Sequence, residues 1–406
     1  MRGGRRDRRE VSAEENVPRG ANRVPDAVTH DERATQSSPG GDDRRFMARA
    51  LALAARGLYT TTPNPRVGCV IVSAGRIIGE GWHERAGNAH AEQAALDDAR
   101  AKGHDIRGAT LYATLEPCNR HGRTPPCVDA VVTAGIGRVV AAMHDPNPLQ
   151  ANGAVRLRDA GVVVEVGLME REATELNIGF VSRMQRGVPW VRSKIASTLD
   201  GRTALVNGDS RWITAPAARA DGHAWRARAC AIVTGVGTVL RDDPALTVRE
   251  VATPRQPLRV VVDRDADTPV DARVFADGNA LVVTAGSRND RWPAGVETLA
   301  LPNAEGRVDL VALLRELARR GVNEVHVEAG AKLNGALITG GLVDELVVYL
   351  APAVIGDPAR GMFECAAPLD SLAARVNLDW MSVDRFGADL RIVARVRRSA
   401  AAIEAA

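Results

Sequence analysis

The chain has 406 residues, 45% of them hydrophobic, and this length is enough for two domains that each bury a core of their own. Its 53 Lys and Arg against 50 Asp and Glu give a net charge of only +3, and no basic cluster is interleaved with aromatic residues. This composition argues against DNA or long RNA as a partner.

The sequence lacks the features of a secreted or membrane protein. It has no run of about 18 apolar residues and no apolar N-terminal segment before a small-residue cleavage site. Its cysteines are an odd number spread through a long chain, which favours a reducing compartment over a disulfide framework. We therefore expect a soluble, cytoplasmic protein without a membrane partner. The cysteines are Cys69, Cys118, Cys127, Cys230 and Cys365.

Residues 1–42 differ in composition from the rest of the chain. They are rich in Arg, Asp, Glu, Gly and Ser and contain almost no large apolar side chains, so they cannot offset the entropy lost on ordering. We expect a disordered extension here. The folded part is predicted to begin with an amphipathic helix from Phe46 to Gly57, because its apolar residues recur at helical spacing.

Predicted strands and helices then alternate as far as residue 188. Strands are expected at 67–72, 77–80, 110–114, 138–143 and 162–166, the first two as a hairpin. Helices are expected at 90–100, 127–134, 155–160 and 170–184. This alternation predicts a three-layer α/β domain over residues 43–188, which ends at the break Arg186-Gly-Val-Pro189.

A second α/β domain is predicted over residues 189–400. Its strands are expected at 190–197, 231–235, 258–263, 280–284, 324–328 and 345–351. Its helices are expected at 217–229, 308–320 and 332–339. No internal repeat links the two halves.

Three short segments of the first domain carry chemistry: His90-Ala-Glu92, Thr114-Leu-Glu-Pro-Cys118 and Pro125-Pro-Cys127. Each precedes or opens a predicted helix, whose free N–H groups and positive dipole end stabilise thiolates. One imidazole and two thiolates, from His90, Cys118 and Cys127, would hold zinc with its fourth position open for water, as a hydrolytic site requires.

Glu92 follows His90 by two residues and can move protons between that water and a departing amine. The order of the segments matches the signature of zinc deaminases that act on nucleobases. Alone, His-Ala-Glu more often merely starts a helix, and two cysteines nine positions apart are more often buried thiols. A structural zinc would normally want a fourth protein ligand, and none is evident nearby. We therefore predict a zinc-dependent deaminase acting on a nitrogen heterocycle.

The first domain resembles the deaminase half of the bifunctional riboflavin biosynthesis proteins. The resemblance rests on Thr62-Pro-Asn-Pro-Arg-Val-Gly68, Gly81-Trp-His-Glu-Arg-Ala-Gly-Asn-Ala-His-Ala-Glu92 and Glu116-Pro-Cys-Asn-Arg-His-Gly-Arg-Thr-Pro-Pro-Cys127. Its eight-residue gap between cysteines differs from the Cys-x-x-Cys usual in cytidine and tRNA-adenosine deaminases. It implies a cytidine-deaminase-like fold and a pocket-lining Asn64, although Asn-Pro can also be a simple turn. Arg120 stands where the family commonly has His.

The second domain resembles the reductase half of that family, whose fold is similar to dihydrofolate reductase, and the whole resemblance covers roughly residues 43–400. It rests on Lys194-Ile-Ala-Ser-Thr-Leu-Asp-Gly-Arg202, Gly208-Asp-Ser-Arg-Trp-Ile-Thr214, Gly237-Thr-Val-Leu-Arg-Asp-Asp-Pro-Ala-Leu-Thr-Val-Arg249 and Val327-Glu-Ala-Gly-Ala-Lys-Leu-Asn-Gly335. The implied NADPH contacts are Ala196, Trp212, Thr238, Asp242, Gly330, Ala331, Lys332, Leu333, Asn334, Gly335 and Ala336. The implied substrate contacts are Ser210, Arg226, Leu246, Arg249 and Glu328.

Simple chemistry supports part of this assignment. The turn from a strand into a helix at Glu328-Ala-Gly330 can hold phosphate on free N–H groups, although most such turns bind nothing. Arg226 and Arg249 carry guanidinium groups, whose paired N–H donors match the oxygens of a phosphate monoester. We expect Lys194 and Asp200 to orient substrate or sugar hydroxyls, although Asp200-Gly201 can be only a turn. Arg264 stands where some relatives have a small hydroxyl residue at the cofactor site.

The sequence thus predicts a two-step enzyme for a small phosphoribosylated pyrimidine, using zinc for deamination and then NADPH for reduction, and we expect a homo-oligomer. A nucleic-acid base editor is a second interpretation, opposed by the missing basic, aromatic surface and by the cysteine spacing. A binding module with structural zinc is a third. Replacing Glu92 by Ala separates the deaminase from the binding module. A deaminase should keep its zinc and stop releasing ammonia, whereas a binding module should keep its zinc and lose nothing.

Overall fold

The structure is a computed structural model that describes residues 39–121, 125–286, 291–356 and 358–397. Residues 1–38 of the predicted extension lie outside this range. Helix α1 (Pro39–Ala55) begins before the predicted boundary, so residues 39–42 belong to the helix and not to the extension. Its start is anchored by Asp43, whose carboxylate accepts hydrogen bonds from the Tyr112 hydroxyl and, at 2.7 Å, from Arg138. These partners lie far along the chain, so composition alone could not reveal them.

In the described residues, five strands of the first half form one sheet in the order β2-β1-β3-β4-β5. They are β1 (Gly68–Ser73), β2 (Arg76–Trp82), β3 (Thr110–Ala113), β4 (Arg138–Ala141) and β5 (Val163–Val166). Strands β1 and β2 form the predicted hairpin, and β1 also pairs antiparallel with β3. Strands β3, β4 and β5 are parallel, so the loops that follow them meet at one edge of the sheet.

Helices cover both faces of this sheet, as the three-layer prediction requires. After α1, the helices of the first half are α2 (Ala91–Ala101), α3 (Cys127–Thr133), α4 (Gly153–Asp159), α5 (Glu170–Leu176) and α6 (Ile178–Arg186). A Cβ built on Gly81 would meet α2, and Gly81 pairs with Cys69. Gly68, the neighbour of Cys69, points to the opposite face, against α1. The glycines therefore allow both helices to approach the sheet closely.

Replacing Gly68 by Ala is expected to lower the free energy of unfolding by about 1–3 kcal/mol, the usual effect of overpacking. The added Cβ would lie 2.0 Å from the backbone oxygen of Ala50, so α1 would have to move away from the sheet. Gly41→Ala is the matched control in α1, because a Cβ there meets nothing within 4 Å. Urea unfolding measures both variants, and equal stability of the two would contradict this packing.

The described residues of the second half contain nine strands in one sheet, in the order β11-β10-β9-β8-β12-β6-β13-β16-β15. They are β6 (Trp190–Thr198), β8 (Ala231–Gly235), β9 (Leu258–Val262), β10 (Ala280–Thr284), β11 (Val296–Ala300), β12 (Glu324–Val327), β13 (Glu345–Ala351), β15 (Leu378–Phe386) and β16 (Asp389–Val396). The strands from β11 to β13 are parallel, and β16 and β15 complete the sheet as an antiparallel hairpin.

Helices and a small sheet complete the second half. The helices are α7 (Pro216–Arg228), α8 (Val236–Asp242), α9 (Leu310–Arg319) and α10 (Ala331–Thr339). The small sheet pairs β7 (Arg202–Ala204) with β14 (Arg360–Gly361). In the described part of the chain, we find no helix that has both the length and the apolarity needed to cross a membrane.

The structure differs from the predicted elements at several places; α8 and β11, for example, were not predicted. The single helix expected at 170–184 is two helices that meet at Asn177, whose buried side chain accepts a hydrogen bond from the Arg66 backbone N–H at 2.8 Å and donates to the Arg66 oxygen at 2.9 Å. The hairpin of β15 and β16 was not predicted. Much of β15 faces solvent, including Trp380 and Val383, so it lacks the clear apolar alternation that marks a half-buried strand.

A buried ion cluster joins the two halves. Glu324, the first residue of β12, is fully buried and forms ion pairs with Arg66 and Arg228, both at 2.7 Å, and with Arg192. Arg66 belongs to the first half, and the other three residues belong to the second. Burial opposes ionisation of Glu324, but the charges of Arg228, Arg66 and Arg192 outweigh it and hold its pKa well below its ordinary value. The halves therefore share a charged core.

Candidate active sites

Three elements of the first half bring the predicted zinc ligands together. His90 is the residue immediately before α2, Cys118 lies in the loop after β3, and Cys127 is the first residue of α3. Both helices therefore begin at the cluster. The backbone N–H of Cys127 donates to the Cys118 sulfur at 3.3 Å, which stabilises negative charge there.

The spacing of these side chains fits zinc. The Nδ1 atom of His90 lies 3.3 Å from the Cys127 Sγ and 3.5 Å from the Cys118 Sγ, and all three ligand atoms lie within 4.8 Å of one another. A tetrahedral ion with zinc bond lengths holds nitrogen and sulfur ligands about 3.6 Å apart. In the described residues the cluster consists of these three ligands, which leaves one tetrahedral position.

The two thiols differ in acidity. A hydrogen bond from Cys127 is the main reason that the pKa of Cys118 is lowered, and the same contact raises the pKa of Cys127. Cys118 therefore gives up its proton more readily than Cys127, and a divalent cation bound by both thiolates would displace their protons.

Glu92 lies at the second position of α2 and is buried beside the cluster. Burial, followed by the negative charge of Cys118, raises the pKa of Glu92 to about 7, whereas the charge of His90 acts in the opposite direction. A carboxyl group with this pKa can both accept and release a proton near neutral pH, which proton transfer between water and an amine requires.

The cluster opens into a cavity of about 540 Å³ that Asn64 also lines. The Nδ2 atom of Asn64 lies 3.0 Å from the His83 Nε2, and the His83 Nδ1 lies 3.0 Å from the Ala89 backbone oxygen. Because a carbonyl only accepts, Nδ1 carries the hydrogen and Nε2 accepts from the Asn64 amide. Burial lowers the pKa of His83, which keeps the ring neutral and the Asn64 amide in one orientation.

Further residues of this cavity were not predicted. It is also lined by Arg120, which the sequence marked only as a departure from the family pattern, and by His83, Asp145, Asn147, Gln150 and Arg183. Asp145 follows β4, which is parallel to β3, so its loop lies at the same sheet edge as the Cys118 loop. Buried Glu116 joins the loops by accepting hydrogen bonds from the backbone N–H groups of Asp145 at 3.1 Å and Ala154 at 2.7 Å. The parallel-strand rule applied to His144-Asp-Pro-Asn-Pro148 could have found this loop.

The second half contains a larger cavity of about 1610 Å³ at the carboxyl ends of its parallel strands. Strands β8 and β12 are neighbours, so the turns that follow them lie side by side, and a Cβ on Gly330 would lie 3.8 Å from the Thr238 hydroxyl. Most predicted cofactor and substrate contacts line this cavity. They are Lys194, Ala196, Ser210, Trp212, Arg226, Thr238, Asp242, Leu246, Arg249, Glu328, Gly330, Ala331, Lys332 and Leu333.

The charged groups at one end of this cavity form a paired set. Arg226 donates to both carboxylate oxygens of Glu328, at 2.5 and 2.8 Å. Burial opposes ionisation of Glu328, but the Arg226 charge outweighs it and keeps the pKa of Glu328 well below its ordinary value. Burial lowers the pKa of Lys194, whose ammonium lies 5.6 Å from the centre of the Tyr349 ring. The unpredicted His223 lines the same region.

Five predicted contacts do not line this cavity in the described residues. Asn334 is buried, and its amide donates to the Ala329 oxygen at 3.1 Å and accepts from the Ser193 hydroxyl at 3.1 Å, so it supports the turn from behind. A Cβ on Gly335 would lie 2.0 Å from the Glu364 oxygen, so Gly335 packs against the chain, and Ala336 is exposed on the far side of α10.

The other two are Asp200 and Arg264. Asp200 accepts hydrogen bonds from the Thr198 hydroxyl at 2.6 Å and from the Gly356 N–H at 2.7 Å, which is the behaviour of a turn residue. Arg264 is exposed and donates to Asp265, its chain neighbour, at 2.7 Å. The structure therefore does not bring either residue to a site.

Comparison with known proteins agrees with both halves of this description. Residues 41–143 match the cytidine and deoxycytidylate deaminase zinc-binding region, and residues 189–392 match the RibD C-terminal domain. The riboflavin biosynthesis protein RibD of Escherichia coli is 47% identical over 363 residues, which cover 86% of this chain and 98% of that protein.

Solved structures of similar proteins match both halves of the chain together. The RibD structure of Acinetobacter baumannii is 40% identical with a TM-score of 0.82, and the match covers 88% of this chain and all of that one. A diaminohydroxyphosphoribosylaminopyrimidine deaminase/5-amino-6-(5-phosphoribosylamino)uracil reductase from Thermotoga maritima is 35% identical with a TM-score of 0.81, over 88% and 99% of the two chains. This chain therefore belongs to the RibD family of bifunctional riboflavin biosynthesis enzymes, with a zinc-dependent deaminase domain followed by an NADPH-dependent reductase domain.

Proposed function

We propose that the deaminase site hydrolyses 2,5-diamino-6-(5-phosphoribosylamino)pyrimidin-4-one and that the reductase site then converts the ribosyl side chain of the product to ribityl. The observation that carries the proposal is the buried carboxyl of Glu92 beside a three-ligand cluster that opens into a cavity. The larger cavity of the same chain supports the second step.

In the deaminase site, we assign His90, Cys118 and Cys127 as the residues that hold zinc, which when bound lowers the pKa of a coordinated water. Glu92 takes one proton from the attacking water and delivers it to the ring nitrogen, as the C–O bond forms by addition to the ring carbon. Glu92 then passes the remaining hydroxyl proton to the exocyclic amine, the C–N bond breaks, ammonia leaves and a ring carbonyl remains. The Asn64 amide, oriented by His83, offers its oxygen to a ring N–H of the pyrimidine.

In the reductase site, NADPH supplies the hydride that the sugar carbon accepts. This cofactor would be bound by Gly330 and the first residues of α10, as far as Leu333, because the start of this helix offers free backbone N–H groups to its phosphates. Its other proposed contacts are Ala196, Trp212, Thr238 and Asp242. The substrate would lie at the charged end of the cavity. Its proposed contacts are Lys194, Ser210, Arg226, Leu246, Arg249 and Glu328.

Three broader assignments accompany this function. We place the boundary between the deaminase domain, predicted over 43–188 and extended by α1 to residue 39, and the reductase domain (189–400) just before β6. Each main sheet lies within one of these ranges. A homo-oligomer is supported by the exposed side chains of Trp380 and Val383 on the edge strand β15. A cytoplasmic location is supported by the thiolate ligands, which need a reducing compartment.

One coupled assay tests the proposal. The purified, zinc-loaded protein is given the diaminopyrimidine phosphate, and ammonia and NADPH are followed together. We expect ammonia release without NADPH, and NADPH oxidation only after deamination has supplied the second substrate. A zinc-loaded protein that releases no ammonia and oxidises no NADPH would show the proposal to be wrong.

A further inference from the structure

We propose that Asn323, a residue of the reductase domain, is a positioning residue for the deaminase reaction. It acts through the turn Pro63-Asn64, which lines the deaminase cavity. The proposal rests on the function proposed above and extends the deaminase site to a residue more than 200 positions away in the sequence. None of the deaminase motifs contains it.

The contact is a closed set of hydrogen bonds around the Pro63 carbonyl. The Asn323 Nδ2 donates to this oxygen at 3.2 Å, and the Arg183 Nη2 donates to it at 3.0 Å. The Arg183 Nε in turn donates to the Asn323 Oδ1 at 2.7 Å. Asn323 is buried, with 4% of its surface exposed, so its amide has one orientation that satisfies both partners.

The next residue, Asn64, carries this geometry into the deaminase cavity. It is flanked by Pro63 and Pro65, whose rings restrict the backbone, and its own N–H donates to the Thr61 oxygen at 2.9 Å. Its side chain reaches His83 at 3.0 Å, next to the zinc ligands. A shift of the Pro63 carbonyl would therefore move the Asn64 amide relative to the cluster.

The reductase domain supplies a rigid support for this contact. The Asn323 backbone oxygen accepts from the Trp190 N–H at 2.9 Å, at the point where β12 and β6 begin to pair. Close by, the Thr62 hydroxyl lies 3.3 Å from the Cys230 sulfur. A Cβ on Gly321 would lie 3.0 Å from Pro63, which leaves the turn little room to move. The deaminase turn is thus held on one side by the reductase sheet.

The test uses Asn323→Asp in the full-length, zinc-loaded protein. The aspartate keeps the size of the side chain and the acceptor for Arg183, but it cannot donate to Pro63. We expect kcat/KM for ammonia release to fall about 10- to 100-fold, the usual consequence of a misplaced binding group. Zinc content and the kcat/KM of the reductase on deaminated substrate should not change, and the intact reductase reports that the chain is folded.

A double-mutant cycle separates positioning from general destabilisation. If Asn323 acts through Asn64, Asn323→Asp should cause no further fall in the Asn64→Ala background. Asn279→Asp is the matched control, because the Asn279 amide donates to the backbone oxygen of Pro257 at 3.2 Å, away from both cavities. It should leave ammonia release unchanged.

Three results would overturn the inference: ammonia kinetics of Asn323→Asp equal to those of the wild type, a parallel loss of both activities, or a further fall in ammonia release when Asn323→Asp is added to Asn64→Ala. If the wild-type protein itself released no ammonia, the proposed function would fail first. If the wild type and the Asn323→Asp variant released ammonia equally well, only the positioning role of Asn323 would be rejected.

Discussion

Replacing Glu92 by Gln should reduce the rate of ammonia release by about 10²- to 10⁴-fold, the usual contribution of a positioned proton-transfer group. The amide keeps the size of the side chain and a hydrogen-bonding oxygen, but it cannot take a proton from water and pass it to an amine. The measurement is single-turnover ammonia release at neutral pH with the zinc-loaded variant.

Zinc content and reductase activity of the same Glu92→Gln preparation are the internal controls. We expect both to equal the wild type, since Glu92 is not one of the three residues of the ligand cluster and does not line the larger cavity of the second half. Glu170→Gln, which makes the same change in the first turn of α5, is the matched variant and should release ammonia normally. Normal deamination by Glu92→Gln would exclude the assigned role and favour a zinc site with a structural purpose.

Replacing Glu324 by Gln should lower the free energy of unfolding by about 3–5 kcal/mol at neutral pH, because the neutral amide leaves buried cations uncompensated. Arg66, Arg192 and Arg228 all pair with this one carboxylate. Because Arg66 belongs to the deaminase domain and Glu324 to the reductase domain, the loss of stability should affect both domains. On heating, we therefore expect the variant to lose both activities at a lower temperature than the wild type. Urea unfolding followed by circular dichroism measures the change.

The same variant gives a pH dependence with a definite sign. The pKa of Glu324 is lower in the folded chain than its ordinary value near 4.5, so its ionisation stabilises the fold above that pH. This contribution disappears as the pH falls through the folded-state pKa. The gap between wild type and Glu324→Gln should therefore be largest at neutral pH and should narrow below about pH 4.5.

A surface ion pair provides the control for Glu324. Glu165 pairs with Arg138 at 2.9 Å, but more than half of its side chain is exposed. Such pairs contribute about 0–1 kcal/mol, so Glu165→Gln should scarcely change stability. Equal effects of the two substitutions would show that burial of the Glu324 cluster has no energetic importance.

The structure and the comparisons favour one of the three functions considered at the start. A structural zinc would need a closed ligand set, whereas the three-ligand cluster of the described residues lies at a cavity beside Glu92. A nucleic-acid base editor is not supported, because the relatives match both halves of the chain, including the reductase half. The remaining function joins deamination and reduction in one protein.

The sequence predicted the residues of the zinc cluster, and the family resemblance implied most of the residues that line the larger cavity. His90 and Cys127 each stand at a helix start, a local arrangement set by neighbours in the chain, whereas Cys118 lies in the loop after β3. The turn that follows β12 at Gly330 also leads into a helix start. The resemblance also implied contacts for Asn334 and Gly335, and Asp200 was expected to orient substrate, but in the described residues none of the three lines the cavity, because whether a side chain faces a cavity depends on what packs behind it.

Only the tertiary structure could show how the two domains meet. The sequence by itself predicted the metal ligands and the proton-transfer group, since metal and proton chemistry demand particular side chains at particular spacings. It carried no sign that Glu324 would bind Arg66 or that Asn323 would hold the Pro63 carbonyl. These contacts join residues far apart in the chain, and hydrogen bonds and ion pairs act over a few ångströms in space, whatever the separation in sequence.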